Sequence, residues 1–179
     1  YTSVLVLTDK EETGSDGNTG LCSSYLQYFI ADLAAAFGQE ARTVLSHSRC
    51  LSADVNAAFD PTFPDVLDPR NAAFLNYGVV VTKFTGARGK SGTSDASAEF
   101  VATIRNLMDE NQIIWQTGEL GKVDMGGGGT VALYIANMDV DTIDVGVPVM
   151  SMHAPMEVVA KIDVYMAYKA FLAFISDKT

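Results

Sequence analysis

The chain has few residues of the kinds that define disulfide-rich, nucleic-acid-binding or membrane-spanning proteins. Its 179 residues include two cysteines, Cys22 and Cys50, too few for a disulfide framework and without C-x-x-C spacing. Twelve Lys and Arg stand against 22 Asp and Glu, and a net charge of −10 repels nucleic acid and anionic membrane surfaces. No apolar run reaches the ~20 residues of a membrane span. We therefore expect a cytoplasmic protein that binds neither nucleic acid nor membrane.

Histidine is equally scarce, with only His47 and His153 in the chain. His153 lies in Ser-Met-His-Ala-Pro, after a hydrophobic segment and before a long apolar one, whereas His47 has no acidic or glycine-rich context. We interpret His47 as a surface residue. His153 is a candidate metal ligand, with a core or turn histidine as the alternative.

Apolar β-rich segments alternate with helical segments along most of the chain, which predicts an α/β fold. The central sheet is expected to be mainly parallel or mixed and sandwiched by helices, within one domain over residues 1–179. We predict strands at 3–8, 49–54, 78–84, 112–116 and 142–147. Helices are predicted at 20–37, from a cap at 94–95 to 108, at 130–136 and at 157–176.

Carboxylates follow two of the predicted strands, with Glu11 and Glu12 after the first and Asp54 after the second. Open α/β sheets bind ligands beyond the carboxyl ends of their strands. Two adjacent carboxylates repel each other, and a cation beside them relieves that repulsion. A solvated acidic turn for the glutamates, and a helix cap or Asx-turn for Asp54, are the alternatives.

Two glycine-rich segments, 86–92 and 126–129, are candidates for binding phosphate or a peptide backbone. The first contains Gly-Lys-Ser with Lys90, but it lacks the upstream glycine of a P-loop, so nucleotide binding is only a distant alternative. The second has four consecutive glycines, which let a substrate backbone approach closely. It lacks dinucleotide-binding spacing.

Taken together, these motifs resemble the aspartyl aminopeptidase and aminopeptidase I family of dinuclear zinc metallopeptidases. The resemblance covers essentially the whole chain. It rests on the motifs at 9–15 (Asp-Lys-Glu-Glu-Thr-Gly-Ser), 52–57 (Ser-Ala-Asp-Val-Asn-Ala), Lys83, 89–95, 118–122 with the glycine run, 145–148 and 151–155.

The resemblance implies a zinc-exopeptidase-like catalytic domain that hydrolyses the N-terminal residue from peptides with water activated by two divalent metal ions, with zinc expected. It assigns Glu11 as the general base and Glu12, Asp54 and His153 as metal ligands. Lys83, Gly128 and Gly129 are the expected substrate-binding residues. A dimer-based homo-oligomer, with a dodecamer as the family's form, is also implied.

The family pattern further includes an earlier histidine, a bridging aspartate and an inserted dimerisation domain, whose motifs do not occur in these 179 residues. We therefore interpret the chain as the C-terminal part of the catalytic domain. A non-catalytic assembly segment or an inactive relative is the alternative function. Because no histidine follows Asp54 closely, we expect neutral or basic N-terminal residues to be cleaved at least as well as acidic ones.

Overall fold

The computed structural model describes residues 1–122 and 124–178, in which short strands and helices alternate. The helices are α1 Tyr25–Ala36, α2 Ala41–Ser46, α3 Ala98–Glu110, α4 Ala132–Ala136 and α5 Lys161–Ser176. The strands are β1 Arg49–Ser52, β2 Asn56–Ala57, β3 Val79–Thr82, β4 Phe84–Ala87, β5 Ser91–Asp95, β6 Trp115–Thr117, β7 Gly127–Gly128, β8 Asp141–Gly146, β9 Pro148–Met150 and β10 Val158–Val159.

A four-stranded sheet in the order β1-β8-β3-β6 forms the centre of the fold. β1 runs parallel to β8, and β3 runs parallel to β6, while β3 and β8 are antiparallel. The predicted α/β fold is thus confirmed, with a sheet that is mixed. Two smaller sheets, β10-β9-β2 and β5-β4-β7, lie beside it.

One face of the central sheet packs against α3 and α5. Alternation along the strands points Val79 and Val81 of β3, and Ile143 and Val145 of β8, into this core. There they meet side chains from α3 and α5, including Ile104, Met108 and Ala170, each less than 1% exposed. Burial of this apolar surface is the main stabilising contribution to the fold.

The opposite face of the same strands is partly polar. A smaller apolar cluster of Leu21, Ile135 and Val140 covers one end of it. Beside that cluster, Ser52, Thr82 and Asp144 are all buried and occupy one row across β1, β8 and β3. This polar row lies on the side of the sheet that α4 contacts.

The predicted strand at 3–8 is wrong, because the segment is not a strand and pairs with none of the described strands. Leu5 and Leu7 are 84% and 87% exposed. An extended segment becomes a strand only when a neighbour supplies its ladder hydrogen bonds. Helix α1 also begins later than predicted, at Tyr25, since residues 20–24 form turns.

The predicted turn at 86–92 is part of a hairpin, in which β4 and β5 pair antiparallel. The cap of α3 is therefore Ser97, whose hydroxyl accepts the N–H of Phe100 at 3.2 Å, and not the predicted residues 94–95. Helix α5 starts at Lys161, four residues later than predicted, after the short strand β10.

Asp163 anchors the beginning of α5 to the turn that precedes β3. Its side chain is completely buried, and its two carboxylate oxygens accept the N–H groups of Asn76 at 2.7 Å and Gly78 at 2.8 Å. Its place in the first helical turn is also favoured by the helix dipole. Among the described residues, no helix has both the length and the apolar character for crossing a bilayer.

We predict that Asp163→Ala lowers the free energy of unfolding by about 2–4 kcal/mol, because it leaves two backbone donors without their acceptor. Asp163→Asn, which keeps the shape and one acceptor oxygen, should cost less. Urea denaturation measures both. Glu110→Ala, at an exposed position near the end of α3, is the control and should change the unfolding free energy by less than about 0.5 kcal/mol. Equal losses for Asp163→Ala and this control would contradict the anchoring role.

Candidate active site

Three separate loops bring Glu11, Glu12, Asp54 and His153 to one edge of the fold. The Nε2 atom of His153 lies 3.3 Å from Oε2 of Glu12, and both side chains are exposed. The charges of Asp54, Glu12 and His153 all act on the pKa of Glu11. The structure thus brings together the predicted general base and the three predicted metal ligands.

The Glu11–Glu12 loop is a single 3-10 turn, Glu11–Thr13, bounded by residues in the left-handed region. Lys10, Gly14 and Ser15 have φ of 63°, 92° and 59°. The chain reverses here, and the N–H of Ser15 donates to the carbonyl of Lys10 at 2.8 Å. Because Ser15 is buried at 1% exposure, it fixes the loop while both glutamates stay outside the core.

Asp54 follows β1 and is held by close backbone packing against β8. A Cβ atom on Gly146 would overlap the carbonyl oxygen of Asp54, so only glycine allows this approach. Oδ1 of Asp54 accepts the N–H of Val55 at 2.8 Å, which leaves the other carboxylate oxygen available.

His153 lies in the turn after β9 and has a left-handed backbone, with φ of 66°. Its N–H donates to Oε1 of Glu157 at 2.6 Å, so the turn is closed by a charge-assisted hydrogen bond. Non-glycine residues in this conformation cost free energy and cluster at functional sites. His47 lies elsewhere, with its Nδ1 2.8 Å from the carbonyl of Thr43 within its own helix end.

Burial and neighbouring charges shift the pKa values of Glu11 and Asp54. Partial burial raises the pKa of Glu11, and the charges of Asp54 and Glu12 raise it further, while His153 lowers it. Burial also raises the pKa of Asp54; its hydrogen bond to Val55 opposes that shift, and Glu12 adds to it. Three carboxylates share one nearby histidine, and a divalent cation would compensate their repulsion.

The donor types at this site fit zinc, which takes imidazole nitrogen and carboxylate oxygen ligands. The Glu12–His153 contact agrees with that fit. Within residues 1–122 and 124–178, however, no group of three or more His, Cys, Asp or Glu side chains is close enough to hold a metal ion. The described side chains thus supply suitable ligands without a closed coordination set.

The three predicted substrate-binding residues lie in different surroundings. Gly129 lines a cavity of about 170 Å³ together with Glu11, Gly14 and Thr130. Gly128, in β7, pairs with Gly86 of β4 beside this cavity. Lys83 instead forms an ion pair with Asp95 across the β4–β5 hairpin.

The Lys90 loop does not have the geometry of a phosphate loop. Lys90 is exposed at the tip of the antiparallel β4–β5 hairpin, and its N–H donates to the carbonyl of Ala87. A P-loop runs from a strand directly into a helix, whose N-terminus receives the phosphate. Here a second strand follows, so this geometry removes the support for nucleotide binding at Lys90.

Sequence reasoning missed Asp144 and Thr130, which lie behind the site. Asp144 is 5% exposed in the middle of β8, and its Oδ2 accepts the hydroxyl of Thr130 at 2.9 Å. The alternation Thr142-Ile143-Asp144-Val145 could have indicated a polar face on this strand.

Comparison with known proteins identifies the family. The model for the aminopeptidase I zinc metalloprotease family (M18) matches residues 1–175. The chain belongs to this family. It is 48% identical over 179 residues to a probable M18 family aminopeptidase 1 of Borreliella burgdorferi, covering 97% of this chain and 39% of that protein. For the probable M18 family aminopeptidase 1 of Clostridium acetobutylicum, the identity is 43%, covering 98% of this chain and 39% of that protein.

Solved structures of M18 proteins share the fold. The crystal structure of the Thermotoga maritima aminopeptidase aligns with a TM-score of 0.89 at 42% identity, covering 94% of this chain and 38% of that one. The S. cerevisiae mApe1 dodecamer shares the fold with a TM-score of 0.77 at 24% identity, covering 94% of this chain and 36% of that one. This M18 chain spans about two fifths of the length of the curated relatives that it matches.

We predict that burial of Asp144 makes stability depend on pH. Burial raises the pKa of this carboxyl from 3.8 to about 6, an effect that Asp54 increases and that the Ser52 and Thr130 hydroxyls partly offset. The folded protein therefore binds this proton more tightly than the unfolded chain, and its contribution to stability falls as the pH rises from about 4 to about 7.

Chemical denaturation of wild type and Asp144→Asn across this pH range isolates the effect. The variant cannot ionise, so its unfolding free energy should rise relative to wild type with increasing pH. Glu110→Gln, which removes a negative charge at an exposed position, is the control. A difference between wild type and Asp144→Asn that is constant over this range would contradict the predicted shift.

Proposed function

We propose that the protein formed by this chain is a zinc-dependent aminopeptidase that hydrolyses the N-terminal residue from peptides. The observation that carries the proposal is the convergence of Glu11, Glu12, Asp54 and His153 from three loops, in a chain of the M18 family. These residues supply one proton-transfer group and three ligands of the types that zinc accepts.

We assign Glu12, Asp54 and His153 as zinc ligands, and a pair of metal ions as the full complement. The 3.3 Å Glu12–His153 contact, the available carboxylate oxygen of Asp54 and the mutual repulsion of the carboxylates support this assignment. Bound zinc would supply Lewis acidity, which polarises a carbonyl and lowers the pKa of water. The hydrogen bond from the His153 N–H to Glu157 orients the loop that presents the imidazole.

Glu11 is the proposed general base. It is only partly exposed, whereas Glu12 beside it is exposed, and it borders the cavity that Gly129 also lines. Its pKa is raised toward neutral pH, which makes the ionised carboxylate a stronger base than that of an ordinary glutamate. Glu11 would accept a proton from water and return it to the amine of the departing peptide.

The substrate would lie between Glu11 and the glycine run. Gly128 and Gly129 carry no side chains that would keep a peptide backbone away from this wall. We propose Lys83 as a further substrate contact, with its charge partly neutralised by Asp95. This pairing and the net charge of −10 support cleavage of neutral or basic N-terminal residues at least as well as acidic ones.

Assembly and location complete the proposal. Exposed apolar side chains lie on the 1–7 segment, α1 and α5, for example Leu7 at 87%, Tyr25 at 74% and Ile175 at 61%, and they favour association. We propose a homo-oligomer, with a dodecamer as the predicted form. The free thiols of Cys22 and Cys50 favour the reducing cytoplasm as its location.

Glu11→Gln provides the test of the catalytic proposal. The amide keeps the size of the side chain but cannot accept a proton, so kcat on aminoacyl-p-nitroanilides should fall by about 10²–10⁴. Zinc content, measured by mass spectrometry of the purified native-length protein, should not change, because Glu11 is not an assigned ligand.

Glu110→Gln, which makes the same chemical change at an exposed position near the end of α3, should retain full activity. Normal turnover by Glu11→Gln would show that another group is the base. A wild-type protein that purifies without zinc and hydrolyses none of these substrates would instead support the alternative of a non-catalytic assembly segment.

A further inference from the structure

A buried carboxylate lies directly behind the proposed active site and takes no part in the chemistry assigned above. Asp144 is in the middle strand of the trio β1-β8-β3, in register with Ser52 on one side and Thr82 on the other. Within the described residues, neither its Oδ1 atom nor the neighbouring Ser52 hydroxyl makes a hydrogen bond of good geometry. Among the described residues, the hydrogen bond that the Thr130 hydroxyl donates to Oδ2 at 2.9 Å is thus the one well-formed hydrogen bond of the Asp144 side chain.

Thr130 joins this carboxylate to helix α4. Its hydroxyl donates to Asp144 and accepts the N–H of Ala132, the first residue of α4, at 3.3 Å. Thr130 is 6% exposed, so both bonds are shielded from water. Because the hydroxyl is both donor and acceptor, its orientation is fixed from both sides.

Each wall of the cavity beside Glu11 is connected to Thr130 or to helix α4. Thr130 directly follows Gly129, and both residues line the cavity. On α4, the hydroxyl of Tyr134 donates at 3.3 Å to the carbonyl of Gly14, in the loop that carries Glu11. The four glycines at 126–129 have no side chains to pack: β7 pairs the middle of the run with β4, and Thr130 supplies the side-chain anchor at its C-terminal end.

We propose that Thr130 and Asp144 form a positioning pair that holds the glycine run and α4 in place around Glu11. This inference rests on the proposed aminopeptidase function for its kinetic consequence. The hydrogen bond from Thr130 fixes the wall formed by Gly129, and α4 fixes the opposite wall through Tyr134 and Gly14. Neither member of the pair touches the reacting atoms.

The test compares Thr130→Val with Thr130→Ser in the native-length protein. Valine keeps the shape of threonine but removes the hydroxyl, so a bound peptide is held less accurately against Glu11. We expect kcat to fall about 10–100-fold with a much smaller change in KM, because small errors in the position of reacting groups slow the chemical step. Serine keeps the hydroxyl and should restore most of the lost kcat.

Thr142→Val is the matched control for loss of a buried hydroxyl. Thr142 is in β8, the strand that carries Asp144, and is 5% exposed. Its hydroxyl donates to the carbonyl of Val140, away from the cavity. This variant should lower stability without the loss of kcat. Equal kcat values for Thr130→Val and Thr142→Val, or an equal loss in Thr130→Ser and Thr130→Val, would overturn the proposal.

Hydrogen–deuterium exchange supplies a readout that does not depend on activity. Peptides covering residues 124–136 should exchange faster in Thr130→Val than in wild type or Thr142→Val. Unchanged exchange in this segment would overturn the anchoring role even in an active enzyme. If the wild type shows no peptidase activity, the proposed function fails, whereas the exchange comparison still decides whether the pair anchors the segment.

Discussion

The pairing of β8 with both β1 and β3 is the constraint on which the site depends. β8 is buried between these two strands, and its glycine end allows the backbone of Asp54 to lie against Gly146. The chain then passes through β9 directly to the turn that carries His153. Two of the site's loops are therefore positioned by one strand, and a shift of its register would move both.

The same strand gives the two faces of the sheet different roles. Ile143 and Val145 point into the apolar core with α3 and α5, while Asp144 points to the side of α4 and the candidate site. Burial of a carboxyl group opposes folding when the group is charged. In this fold the hydroxyl of Thr130 offsets part of that cost by donating to Asp144.

The carboxylates at the candidate site interact unfavourably with one another. Besides partial burial, the charges of Asp54 and Glu12 raise the pKa of Glu11, and the charge of Glu12 raises the pKa of Asp54, while His153 lowers both. Such an arrangement is unfavourable for an isolated protein surface. It becomes favourable when a divalent cation lies among the carboxylates, which links the electrostatics of the described residues to the proposed zinc chemistry.

The sequence allowed the central strands, α3 and α5 to be predicted, because apolar patterns of strand and helix length mark them directly. The ends of these elements were less predictable. The start of α3 at Ser97 depends on the β4–β5 hairpin, and a glycine-rich segment does not indicate which strand it will pair with. The segment 3–8 has strand-forming residues, but pairing is a tertiary property that its composition cannot supply.

The candidate site was predictable to a similar degree. Glu11, Glu12, Asp54 and His153 could be proposed from their positions after apolar segments and from a family resemblance, and the structure brings them together. Their roles as base and ligands stay predictions. Asp144 could not be singled out, because the importance of a buried polar residue depends on Thr130, which is 14 residues away along the chain.

Anomalous diffraction at the zinc absorption edge, from crystals of the native-length protein, tests the central claim most directly. We expect a zinc peak bounded by the side chains of Glu12, Asp54 and His153, which is lost or weakened in His153→Ala and retained in His47→Ala. Well-diffracting, zinc-soaked crystals with no peak at these three residues, or with a peak unaffected by His153→Ala, would contradict it.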